Sequence, residues 1–137
     1  MTPEGMIVRP SRRDPKETMD RLAAAVTARG AAVVARIDHA FAAAAVGLAL
    51  PPTEVLVFGN PRAGTPLMQA AQTIGIDLPL KALVWRDASS ATFVGYNDPR
   101  WLARRHGVDA GNEAILAAMA DFLAAVADEA TAQRGRR

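Results

Sequence analysis

The side chains best suited to chemistry fall into three short strings. The first, Asp38-His39, sets a carboxylate beside an imidazole where a β-branched run gives way to an alanine-rich one. An imidazole in the first turn of a helix meets the positive end of the helix dipole, which disfavours added charge and suits a neutral general base or ligand. The architectural alternative is that Asp38 caps the helix and His39 bonds a neighbouring carbonyl. Successive strand residues point to opposite faces, so Asp38 is not placed to orient His39 as a triad aspartate would.

The second string, Gly59-Asn60-Pro61-Arg62-Ala63-Gly64-Thr65-Pro66, follows an apolar run and imitates a phosphate loop. It departs at the positions that matter. A P-loop needs Lys and then Ser/Thr after its second glycine, whereas Thr65 and Pro66 stand there, and neither proline has an N–H to donate. That argues against nucleoside triphosphate hydrolysis. A weaker anion site remains, in which N–H groups at a helix start, with Asn60, Arg62 and Thr65, hold a carboxylate or phosphate. Glycine and proline are also the ordinary punctuation of a strand-to-helix turn. The third string centres on Lys81, which alternates with Leu83 and Trp85 while Leu80, Ala82 and Val84 take the other strand face. Both faces read as largely buried, so the lysine needs a partner: Asp77, Asp38 or the Tyr96 hydroxyl. Such company suits an electrophile, an anion stabiliser or a carbonyl ligand. A snorkelling lysine or a structural ion pair is the plainer reading.

The elements that must carry these groups are legible from pattern. Residues 6–9 read as a strand, and Asp14-Pro15-Lys16-Glu17 starts a helix with Asp as N-cap, Pro at the first position and Glu as capping partner. Met19, Leu22, Ala23 and Val26 continue at helical spacing until Gly30. Residues 32–38 form a second strand, so a β-α-β unit with a right-handed crossover between parallel strands is expected. A short helix over 39–46 ends at Gly47. The apolar run 55–58 is a third strand, expected to be central. Asn60-Pro61 and Thr65-Pro66 are two cap-plus-proline pairs, the second opening a helix through Met68 and Ala71. Residues 80–86 and 92–96 form a hairpin around 87–90. Asn97-Asp98-Pro99 opens a helix that Gly107 stops. A final helix over 112–130 carries Ile115, Leu116, Met119, Phe122, Leu123 and Val126 as an apolar stripe. The stripe must cover the sheet or meet its copy in a second subunit, and the sheet is the expected partner. The fold class is therefore α+β: a two-layer domain with about five strands in a mixed sheet, helices packed on it and a C-terminal helix.

Composition narrows the function classes. A single chain of 137 residues with 50% hydrophobic residues can bury a core without staples. Zero cysteines exclude thiolate metal sites, thiol catalysis and disulfides. The two histidines, His39 and His106, have no ligand-like spacing, so neither metal nor cofactor is expected. With 16 basic and 14 acidic residues scattered along the chain, and the phenylalanines in apolar runs, no nucleic-acid face is expected. Residues 1–13 carry charges where a signal peptide would be apolar, and the apolar run 40–50 is far below the ~20 residues of a spanning helix. No membrane partner and a cytoplasmic location are the expectation. The basic tail 133–137 is expected to be frayed.

Ile37-Asp38-His39-Ala40, Phe58-Gly59-Asn60-Pro61, Gly64-Thr65-Pro66-Leu67-Met68, Asp77-Leu78-Pro79-Leu80-Lys81 with Val84-Trp85, and Tyr96-Asn97-Asp98-Pro99 occur in order, and in these blocks the chain resembles the family called domain of unknown function 302. The resemblance implies a small bacterial or archaeal α+β domain and a homodimer, with no established activity. The blocks cover residues 14–107; 1–13 then supply an N-terminal strand and the entry to the first helix, and 108–137 a C-terminal helix and tail, all in one domain.

Three functions compete. One is binding of a small anionic or carbonyl-bearing molecule at strand-end loops, with Asp38, His39, Asn60, Arg62, Thr65, Asp77, Lys81 and Tyr96 as candidate contacts. Another is a hydrolase or lyase with His39 as general base and Lys81 as electrophile or anion stabiliser. The third is a structural or interaction module in which these groups only cap and pair. The binding and enzyme readings depend on whether Asp38, His39 and Asn60 share an end of the sheet with Lys81 and Tyr96. A parallel third and fourth strand would separate the two sets, and an antiparallel pair would put all five on one rim.

Overall fold

The computed structural model of the chain describes residues 2–132, and the basic tail 133–137 lies outside them. Its strands are β1 (Met6–Ser11), β2 (Ala32–Asp38), β3 (Thr53–Gly59), β4 (Leu80–Arg86) and β5 (Thr92–Asn97). They form one sheet in the order β1-β5-β4-β3-β2, and every neighbouring pair is antiparallel. The expected mixed sheet is therefore an antiparallel one. β1 and β2 do run in the same direction, but they occupy opposite edges with three strands between them. The β-α-β pattern reads strand direction and cannot say whether later strands insert between its two ends. For the same reason β3 is interior without being central; that place belongs to β4.

Local signals set the helices. In α1 (Pro15–Ala28) the Asp14 carboxylate accepts from the Glu17 N–H at 2.8 Å, and the Glu17 carboxylate pairs with Arg13. Asp38 caps α2 (His39–Ala45) through the Phe41 N–H at 2.9 Å. Asp98 caps α4 (Pro99–His106) through Arg100 N–H, and Gly107 ends that helix at φ 72°. The helix after β3 begins earlier than the second cap-plus-proline pair suggests. Asn60 caps α3 (Pro61–Ala70), so Thr65 and Pro66 lie inside it, and Pro66 cannot donate to the carbonyl one turn back. A 3₁₀ segment, Gln72–Asp77, links α3 to β4. A shorter one, Ala110–Asn112, precedes α5 (Glu113–Thr131).

One face of the sheet is covered by α1 and α5, which settles where the apolar stripe of the last helix goes. Met19, Leu22 and Val26 of α1 and Leu123 and Val126 of α5 bury against Leu56, Phe58, Ala82, Val84, Val94 and Tyr96 of the strands. A second cluster joins Leu67 of α3, Ile74, Leu102 and Ala103 to Leu116 and Met119 of α5. Leu78 packs against both clusters. The opposite sheet face carries Trp85 and Phe93, stacked with ring centroids 5.6 Å apart. Only glycine fits between them and β1: a Cβ on Gly95 would come within 2.7 Å of the Met6 methyl and 2.9 Å of the Trp85 ring.

Candidate functional site

Strand direction sorts the candidate residues into two ends of the molecule. Asp38 pairs with Glu54 at the start of β3, because β2 and β3 are antiparallel neighbours. Asp38 and His39 therefore sit at one end, while Asn60, Arg62, Thr65, Asp77, Lys81 and Tyr96 belong to the other. An antiparallel β3–β4 pair was expected to gather all five groups. It brings Asn60 to Lys81 and Tyr96, but the equally antiparallel β2–β3 pair sends Asp38 and His39 away.

Several individual expectations also change. Lys81 is exposed, and its ammonium donates to the carbonyls of Pro79 at 3.0 Å and Asp77 at 3.4 Å. It is not a buried lysine with a side-chain partner: as the second residue of β4 it lies at the end of the sheet, where it is exposed. Tyr96 points the other way, into the helix-covered core, so it does not meet Lys81. Burial raises the pKa of the Tyr96 phenol, against the opposing effect of the Arg9 guanidinium beside it. His39 is exposed and has no hydrogen-bond partner among the described residues.

At the second end the structure forms a groove of about 630 Å³. Its apolar wall is Leu78, Leu80, Ile115, Met119 and Phe122, and the Phe122 ring lies 6.0 Å from that of Phe58. Asn60, Arg62 and Thr65 stand along its rim, and Arg29 at the end of α1 and Ala32 and Val34 of β2 border it. The groove thus gathers three of the candidate residues and omits Asp38, His39, Asp77, Lys81 and Tyr96. The backbone donors expected to hold an anion are engaged: Arg62 N–H donates to Asn60 Oδ1, and Ala63 and Gly64 N–H to the Asn60 carbonyl. Pro61 has none. Side-chain donors remain, namely the Asn60 amide nitrogen, the Arg62 guanidinium and the Thr65 hydroxyl. A molecule in this groove would bury an apolar body and present a polar head to them.

A second polar cluster was not legible in the sequence. Asp77 accepts from Arg105 Nη1 at 2.8 and 3.0 Å and lies 2.5 Å from His106 Nε2, while His106 Nδ1 is 2.9 Å from the Thr73 hydroxyl. With Asp77 ionised, Nε2 is the donor toward it, and in the neutral imidazole Nδ1 then accepts from Thr73. Burial works to raise the Asp77 pKa, but His106 and Arg105 together outweigh it and hold the carboxyl below its ordinary value. The hydroxyl–imidazole–carboxylate order resembles a nucleophile with its base, yet Thr73 does not line the groove, and the cluster serves to tie the 3₁₀ segment to α4. Asp77 and His106 are 29 residues apart, a separation no spacing rule reads. Among the described residues no group of three or more His, Cys, Asp or Glu is arranged to hold a metal ion.

Comparison with known proteins adds a family and a fold. The family model described as Domain of unknown function DUF302 matches residues 7–126, reaching beyond both ends of the 14–107 stretch that carries the motifs. The chain is 44% identical over 115 residues to a protein named Fluoride-specific ion channel FluC 1 of Brucella suis biovar 1 (strain 1330), a match covering 84% of this chain and 45% of that protein. A protein named Fluoride-specific ion channel FluC 2, of Brucella melitensis biotype 1, matches at the same identity over 43% of its length. The chain thus spans less than half the length of these curated relatives. Among the described residues no helix is long and apolar enough to cross a membrane. A crystal structure of an uncharacterized conserved DUF302 protein from Bacillus stearothermophilus superimposes with a TM-score of 0.82 at 22% identity, covering 93% of this chain and 99% of that one. At that identity the likeness speaks for the fold.

Proposed function

The chain belongs to the family described as Domain of unknown function DUF302, and from that premise we propose that it binds a small molecule with an apolar body and a carboxylate or carbonyl head. The observation that carries this reading is the groove of about 630 Å³, walled by Leu78, Leu80, Met119 and Phe122 and rimmed by Asn60, Arg62 and Thr65. Each buried methylene contributes roughly 0.8 kcal/mol, so the apolar body supplies affinity and the rim donors supply orientation. A hydrolase or lyase built on His39 and Lys81 has less support, because those two groups stand at opposite ends of the sheet. Channel activity we leave to the part of the Brucella proteins that this chain does not match. A bare fluoride ion would lose hydration in an apolar groove and gain little there.

The same reading includes a homodimer. Its support is the edge strand β2, whose residues Val33, Val34 and Ile37 are exposed, together with exposed Phe41, Val46 and Leu48 in and after α2.

Thermal unfolding with decanoate, 2-naphthoate, inorganic phosphate and fluoride tests the binding reading. The expected result is a rise in Tm of about 5 °C for the two apolar carboxylates at concentrations well above Kd, and none for the inorganic anions. Arg62→Ala should weaken decanoate binding about tenfold while leaving the unliganded Tm unchanged. If neither carboxylate raises the Tm, the proposal fails.

A further inference from the structure

The groove ends at an open edge. Its outer border is the start of β2, and among the described residues the sheet has no strand beyond β2. Edge strands that avoid pairing carry lysine, proline or a covering element. This one instead presents Val34, 63% exposed at a bulge, and its one basic residue, Arg36, is drawn inward between Asp20 and Glu54 at 2.9 and 2.6 Å. Phe41, 75% exposed in the helix that follows, is likewise uncovered.

We propose that a second copy of this chain covers the β2 edge and that its Asp38–His39 end closes the groove, making each binding site a product of two subunits. A two-fold axis brings β2 against its own copy, and a strand that forms a hydrogen-bonded ladder with its own copy across such an axis runs antiparallel. That is the geometry of every other pair in this sheet. Antiparallel pairing sets the start of one β2, which borders the groove, opposite the end of the other, which carries Asp38 and His39. Seven residues of strand span about 23 Å, so groups too distant to meet within one subunit become neighbours across the axis.

Charge agrees with this direction. The groove rim carries Arg62, whose guanidinium has no partner among the described residues, whereas Arg29 beside it is already paired with Glu129. The arriving end carries the Asp38 carboxylate, so unlike charges approach. His39, which has no partner in its own subunit, then faces the mouth of the other groove with a ring N–H to donate to a bound carboxylate. This inference deepens the groove-binding reading and rests on it for the role of His39, but the arrangement itself can be tested without ligand.

The chain has no cysteine, so single cysteines report proximity cleanly. Ala32→Cys and His39→Cys variants, mixed and treated with a short bis-maleimide, should give covalent dimer well above the level of either variant alone. Sedimentation should show a dimer for the wild type and a monomer for Val34→Lys, with unchanged circular dichroism in each variant. A wild-type monomer, or a mixed sample that cross-links no better than its components, overturns the arrangement whatever the outcome with ligands. Should Val34→Lys fail to fold, the cross-linking comparison still decides. His39→Ala should lower decanoate affinity about tenfold, the size of one lost hydrogen bond to a charged group. Unchanged affinity beside efficient cross-linking would show that the second copy does not complete the site, and would overturn that half of the inference.

Discussion

Asp77 shows how one side chain can answer to partners the sequence does not announce. Its nearest reading in the chain is as a counter-ion for Lys81, four residues on, yet it turns instead to Arg105 and His106 of α4. Lys81 is left with two backbone carbonyls. The pKa of Asp77 is held below its ordinary value, so its ionised form is bound more tightly in the folded state than in the unfolded chain. That contribution is complete above the unfolded carboxylate range and is lost as pH falls through the lowered folded value. Asp77→Asn should therefore cost about 1–3 kcal/mol at neutral pH and flatten the acid limb of stability against pH. Urea unfolding from pH 3 to pH 8 measures both. An acid limb as steep as that of the wild type would mean that other carboxylates carry it.

The elements obey short-range signals, and these were the legible part of the chain. Asp14, Asp38 and Asp98 cap the helices that their positions announce, and each bond spans two or three residues. Asn60 caps as announced too, but Thr65-Pro66, an equally plausible opening, is absorbed into α3 because the earlier pair had already set the helix turning. Gly107 tests the weight of a single stop signal. Its φ of 72° is left-handed, and a Cβ there would meet nothing within 4 Å. Gly107→Ala should therefore cost only the conformational penalty, about 1 kcal/mol, seen as a small drop in urea midpoint with unchanged slope. A loss of 3 kcal/mol or more would mean that the turn into α5 depends on more than this one dihedral angle.

For the molecule as a whole, α5 is the element that turns a sheet with one helix into a two-layer domain with a groove. Its Leu123 is buried among α1 and the strands, and Met119 and Phe122 of the same helix wall the groove. Leu123→Ala should cost about 2.7–5 kcal/mol, read from chemical unfolding, since nearby strands cannot collapse into the space left behind. A cost below 1 kcal/mol would mean that α5 is only loosely seated. The stripe of this helix was readable, and the sheet was its expected partner with a second subunit left as the alternative. Which strands it covers was not readable, and neither was the order β1-β5-β4-β3-β2. From its sequence alone this chain declares its strands and most of its helices with their caps and stops, because those rest on hydrogen bonds and apolar periods within a few consecutive residues, and its motif blocks carry the resemblance to its family. Only the tertiary structure decides that β1 and β2 lie at opposite edges, that Asp38 and His39 leave Asn60 and Lys81, and that Arg62 stands over an apolar groove. Those outcomes follow from which strand faces bury together, and burial is summed over segments far apart in the chain.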